Sequence, residues 1–216
     1  MMQHDDHPAR FRAALSQCPL VAILRGIRPD EVDAVGEVLV AAGFRIIEVP
    51  LNSPEALRSI ARLSQRLGDA AIVGAGTVLT TDEVAQVRDA GGTLIVSPNT
   101  DPAIIEASVV NGLTCLPGFF TPSEAFTAIA AGAHGLKLFP ADAASPAFLK
   151  ALRAVLPPAV PVLSVGGIRP QDIQAWQRAG AGGFGLGSAL FALGSKPEEI
   201  AAKAKEFVLA IDQHSS

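Results

Sequence analysis

Leu94-Ile95-Val96-Ser97-Pro98-Asn99-Thr100-Asp101-Pro102, then Ala103-Ile104-Ile105-Glu106-Ala107-Ser108-Val109-Val110-Asn111-Gly112, then Leu113-Thr114-Cys115-Leu116, is the stretch that decides the fold. The apolar run at 94–96 is strand length and breaks at a polar, Pro-containing segment, as a buried parallel strand does. Asp101-Pro102 is a helix start: the carboxylate accepts from a first-turn amide, and Pro lacks the amide that would go unpaired there. Asn111-Gly112 is the matching stop, because a left-handed helix cap suits Gly. Leu113 then opens the next apolar run.

Outward from this unit the chain says the same thing about eight times. The apolar runs fall at 20–24, 44–49, 71–73, 94–96, 113–116, 135–139, 160–165 and 183–186. Between them lie starts such as Ser53-Pro54-Glu55, Thr80-Thr81-Asp82-Glu83, Thr121-Pro122-Ser123-Glu124 and Ser145-Pro146, and stops at Gly43, Gly91, Gly132 and Gly180. Alternating strands and helices with right-handed crossovers make a doubly wound sheet or a closed barrel. Eight units in 216 residues favour closure, as a compact (β/α)8 TIM barrel with short loops. Residues 8–18 add an amphipathic helix before the first strand. One domain spanning 1–216 is expected, with 1–7 and 213–216 frayed.

A chain of this length buries roughly 70% of its unfolded surface, so its core needs no disulfide or structural metal. Cys18 and Cys115 lie far apart with no ligand-spaced His pair, which argues against zinc and for a reducing compartment, the cytoplasm. The formal net charge of -4 and pI near 5.5 disfavour a nucleic-acid partner. No apolar run reaches the roughly 18 residues of a membrane span, and the opening residues lack a basic region before an apolar core. Neither export nor anchoring is expected.

Barrel enzymes place their chemistry where the strands end. Those positions give Arg25, Glu48, Thr77, Ser97 with Asn99, Pro117 with Gly118, Lys137, Gly166 with Gly167, and Gly187 with Ser188. In Gly135-Leu136-Lys137-Leu138-Phe139-Pro140, strand alternation sends both Leu side chains to the helix layer and Lys137 into the barrel. Burial lowers an ammonium's pKa, leaving the free amine that imine formation requires. Glu48, ending Arg45-Ile46-Ile47-Glu48-Val49-Pro50, suits proton transfer beside that imine. For both residues the alternative is a structural Lys–Glu ion pair. The loops at Gly166-Gly167 and Gly187-Ser188 follow the seventh and eighth strands, where backbone amides can cradle a phosphate, although tight turns also call for Gly. Arg25 suits a substrate carboxylate, with a pair to Glu48 as its alternative. Thr77 offers a hydroxyl or a turn cap. Gly74-Ala75-Gly76-Thr77 lacks the third Gly and the acidic partner of a nicotinamide site. No metal-ligand set emerges from His4, His7, His134 or His214. Phe119-Phe120 forms either an apolar wall over the site or loop or subunit packing.

The constellation resembles the 2-keto-3-deoxy-6-phosphogluconate and -galactonate aldolases over about residues 18–192. The segments that carry the likeness are Ala-Ile-Leu-Arg-Gly-Ile at 22, Glu-Val-Pro-Leu-Asn-Ser at 48, Gly-Ala-Gly-Thr-Val at 74 and Ser-Pro-Asn at 97. Leu-Pro-Gly at 116, Leu-Lys-Leu-Phe-Pro-Ala at 136, Val-Gly-Gly-Ile at 165 and Gly-Leu-Gly-Ser at 185 complete it. Pro50, Asn52 and Val165 stand where the gluconate enzymes typically carry Thr, Arg and Thr, which looks like the galactonate branch. The resemblance implies a Schiff-base, metal-independent lyase without a cofactor. Its expected partners are a phosphorylated keto-deoxy sugar acid and further copies of the chain in a homotrimer. It assigns Lys137 as nucleophile, Glu48 as acid and base, and Arg25, Thr77, Gly167 and Ser188 as substrate contacts, with Gly166 and Gly187 beside them. A gluconate or dual-epimer aldolase is the nearest alternative. An isomerase using Glu48 as base and a silent sugar-phosphate binder are more distant ones.

Overall fold

The computed structural model describes residues 6–212. Helix α1 (His7–Gln17) opens on Asp6, whose carboxylate accepts from the Ala9 amide at 3.0 Å. Asp6 thus caps this helix and His7 is its first residue, while the rest of the stretches expected to fray lie outside the described residues. Strands and helices then alternate: β1 (Leu20–Ile23), α2 (Val32–Ala41), β2 (Ile46–Pro50), α3 (Ala56–Leu67), β3 (Ile72–Gly76), α4 (Thr81–Asp89), β4 (Leu94–Val96) and α5 (Pro102–Val110). The second half runs β5 (Thr114–Leu116), β6 (Gly118–Phe119), α6 (Pro122–Ala130), β7 (Leu136–Leu138), α7 (Pro146–Arg153), β8 (Val162–Val165), α8 (Ile173–Arg178), β9 (Gly183–Leu186) and α9 (Pro197–Asp212).

All pairings are parallel, in the order β5-β4-β3-β2-β1-β9-β8-β7-β6, with the first and last strands joined. The expected fifth strand is split into β5 and β6 because Pro117 has no amide to give to a ladder. Its carbonyl still serves, accepting from Lys137 N–H at 2.9 Å, while Cys115 and Phe119 carbonyls accept from His134 and Phe139. These bonds carry the circle across the break, and the barrel has eight staves.

Local chemistry explains most helix starts. Thr80 with Glu83 and Thr121 with Glu124 form reciprocal capping boxes, and Asp101 and Ser145 cap α5 and α7. Ser53 is an exception to the expected pattern. Its hydroxyl accepts from the Gly26 amide at 2.9 Å, tying two rim loops together, and α3 begins only after Glu55, at φ 45°.

Two apolar layers result. Strand side chains that alternate outward, among them Ile47, Val49, Leu136, Leu138 and Phe184, pack under the helices. Those that alternate inward, including Val21, Ile46, Ile72, Leu94, Leu116 and Leu163, fill the barrel. Phe11 and Leu15 of α1 join the inner set and stop the amino-terminal end of the barrel. Burying a Phe or Leu side chain contributes roughly 1.5–3 kcal/mol, so the stopper is a substantial part of the inner core. The opposite end carries the charged groups Arg25, Glu48 and Lys137.

Candidate active site

In β2 the alternation Ile46 inward, Ile47 outward places Glu48 inside the barrel, and Lys137 enters from β7 between two outward leucines. Glu48 is 1% exposed and Lys137 7%. With Arg25, Gly166, Gly167, Gly187 and Ser188 they line one cavity of about 130 Å³ at the carboxyl ends of the strands. Thr77 stands one step behind this wall and is reached through Arg25, whose Nη2–H donates to Thr77 Oγ1 at 3.4 Å. The other arm of that guanidinium donates from Nη1 to Asn52 Oδ1 at 2.7 Å. Thr77 holds φ 57°, a left-handed conformation that β-branched residues avoid and that concentrates at functional sites.

The two buried charges modify one another. Burial drives Glu48 up from the usual carboxyl value of 4.5 to about 7, while Lys137, then Arg25 and the Gly76 amide, pull it down. Burial likewise lowers Lys137, opposed by Glu48 and assisted by Arg25. Glu48 Oε2 has no hydrogen-bond partner, and among the described residues no close ion pair joins Glu48 to Lys137 or Arg25, which act on it through their charge without the paired geometry considered from sequence. A carboxyl that titrates near neutrality beside an amine with weakened proton affinity is equipped for proton transfer and nucleophilic attack.

Phe139 does not stand out in the sequence as a site residue, although it lies two positions beyond Lys137, the spacing that returns a strand to the same face. Its ring centroid is 4.7 Å from Lys137 Nζ, close enough for its negative face to attract a cation. Phe119 and Phe120 do not line the cavity: Phe119 is buried under the helices, and Phe120 stacks on Phe148 of α7 with centroids 5.3 Å apart. The packing alternative holds for that pair.

The glycine loops line the cavity beside Lys137 and Glu48. Gly166 and Gly167 adopt φ 113° and 67°, backbone conformations that glycine reaches without the penalty a side chain would bring. Leu190 and Phe191 amides fold back onto the Gly187 carbonyl in a tight turn. Among the described residues, no acceptor takes a hydrogen bond from the Gly167, Ser188 or Ala189 amide.

Outside the cavity the other candidates are structural. His134 Nδ1 accepts from the Cys115 amide at 3.1 Å, and burial pushes the Cys115 thiol up to about 12. Among the described residues, no group of three or more His, Cys, Asp and Glu is placed to hold a metal, and no helix is long and apolar enough to cross a membrane.

Known proteins resemble this chain in sequence and fold. The 2-dehydro-3-deoxy-6-phosphogalactonate aldolase of Escherichia coli K12 is 45% identical over 195 residues, 90% of this chain and 95% of that protein. The KHG/KDPG aldolase of the same organism is 32% identical, over 73% of this chain and 74% of its own. A solved structure described as native KDPGal superposes with a TM-score of 0.90 at 45% identity, covering 91% of this chain and 96% of that one. The family model for KDPG and KHG aldolase matches residues 11–203, and the chain belongs to that aldolase family.

Proposed function

We propose that this chain cleaves 2-dehydro-3-deoxy-6-phospho-D-galactonate to pyruvate and D-glyceraldehyde 3-phosphate through an imine on Lys137. The observation that carries the proposal is the buried Lys137 amine, its proton affinity lowered, sharing a cavity with a Glu48 carboxyl near neutrality. Lys137 Nζ attacks the C2 carbonyl, Glu48 supplies the proton on which the carbinolamine leaves water, and a protonated imine forms. Loss of the C4 hydroxyl proton lets the C3–C4 electrons flow into that imine. Glyceraldehyde 3-phosphate departs, the enamine takes a proton at C3, and hydrolysis returns pyruvate and the free amine. The imine is the electron sink, so no cofactor takes part.

Arg25 receives the carboxylate through its planar fork, with Thr77 beside it, and the amides at Gly166, Gly167, Gly187 and Ser188 receive the phosphate. The galactonate assignment is supported by 45% identity to a relative of that name against 32% to the KHG/KDPG enzyme. A cytoplasmic homotrimer is the proposed working form, supported by the resemblance and by exposed Val109, Val110 and Phe126 on the contacting helices α5 and α6. Pyruvate with sodium borohydride tests the chemistry. A reduced pyruvyl adduct mapped to Lys137 is expected, and no adduct in folded protein would overturn it. Assay of both C4 epimers tests the substrate, with faster turnover of the galactonate epimer expected and the reverse order assigning the chain to gluconate.

A further inference from the structure

Gly76 ends β3 with its α-carbon against the Glu48 carboxyl. A Cβ there would stand 2.0 Å from Oε2, 2.4 Å from Cδ and 2.4 Å from Oε1, and these are its three nearest neighbours. Even weakly attractive carbon–oxygen contacts sit at about 3.3–3.6 Å, so an alanine side chain and the present carboxyl cannot share this space. Nothing in the backbone requires glycine. Gly76 is not among the glycines with positive φ, and its carbonyl accepts normally from the Leu51 amide at 2.8 Å. Gly74, two residues back on the same face, is a useful contrast: there a Cβ would meet the Leu94 backbone carbonyl at 2.0 Å, a collision that only movement of the barrel could relieve. At Gly76 a movement of one side chain relieves it.

We infer that Gly76 is a positioning residue whose missing side chain is the seat of the Glu48 carboxyl. The seat matters because Oε2 has no hydrogen bond to fix it. The Gly76 amide, which interacts with the carboxyl, and the space left by the missing Cβ together keep it deep in the barrel, in the wall of the cavity it shares with Lys137. The inference rests on Glu48 carrying protons in the proposed reaction, whereas the seat itself is a matter of packing. The two can therefore fail separately.

The test is Gly76→Ala in the full chain. It should fold, lower kcat about 100-fold for a displacement of about 1 Å, leave KM nearly unchanged, and displace the Glu48 limb of the pH–rate profile. Adding Glu48→Asp, which withdraws the carboxyl by one methylene, should recover about tenfold of the loss, although Glu48→Asp alone is deleterious. Gly76→Ala at wild-type kcat, or a loss that Glu48→Asp does not relieve with an unmoved pH profile, would overturn the inference. Should Gly76→Ala fold poorly, Gly76→Ala with Glu48→Ala must fold like Glu48→Ala alone, and a double variant that does not would also overturn it. That stability cycle reads the seat even if wild-type protein traps no pyruvate, the result that refutes the imine reading instead.

Discussion

Replacing Glu48 with glutamine should make the protein more stable relative to wild type as pH rises, while it slows the reaction. In the unfolded chain the carboxyl loses its proton near 4.5, but burial holds it in the folded protein to about 7. Between those values the folded state binds more protons than the unfolded one, so wild-type stability falls as pH rises and levels off above about 7. At 1.36 kcal/mol per pH unit the whole interval amounts to about 3 kcal/mol, of which about 2 to 3 kcal/mol is lost between pH 5 and pH 8. A glutamine amide does not titrate, so the stability of Glu48→Gln relative to wild type should widen by that amount between the two pH values. Urea unfolding at fixed protein concentration reads it, as a difference in midpoints growing by about 1 M for a slope near 2 kcal/mol/M. Comparing two pH values removes every effect of the substitution that does not titrate. A constant or narrowing difference would refute the claim that Glu48 is held protonated by burial.

Asn52→Ala frees one arm of Arg25, and the loss of a hydrogen bond of about 1 kcal/mol should raise KM about fivefold with kcat within about twofold, measured by initial rates. Thr77→Gly removes a left-handed β-branched residue and should stabilise the fold by about 1 kcal/mol in urea, yet raise KM by deleting the hydroxyl beside Arg25. Cys115, with its thiol pushed up to about 12, should resist iodoacetamide at pH 8 until urea unfolds the chain, as peptide mapping would show.

What can be read along the chain is whatever a short segment determines by itself. Asp101, Thr121 and Ser145 cap helices because the cap is a contact within four residues. Lys137 and Glu48 are visible because each is a charge in an apolar strand, and alternation gives it a side. Ser53 reads as a cap but is not one, because its partner, Gly26, lies 27 residues away on another loop. Pro117 looks like a strand terminus, and only the bonds from His134, Lys137 and Phe139 show that the strand resumes beyond it. Asn52 is visible only as a mark of the galactonate branch, and Gly76 not at all, because each acts through a distant partner, Asn52 through Arg25 on another rim loop and Gly76 through Glu48 on β2. Thr77 stands out as a strand-end hydroxyl, but its place behind the guanidinium follows from a backbone angle no residue pattern specifies.

The stopper formed by Phe11 and Leu15 has a consequence for the order in which the molecule is made. Translation delivers α1 first, yet the inner cluster it completes includes Leu163 and Val165, and the strand beside β1 is β9, where Leu20 is in register with Phe184. The first helix therefore has no finished socket until nearly the whole chain has emerged. Contacts that far apart in sequence close slowly, because the loop must be ordered before they reward it. Nascent chains that end before β9 should show α1 amides exchanging freely with solvent. Emergence of β9, rather than synthesis of α1, sets the moment at which the floor of the barrel closes.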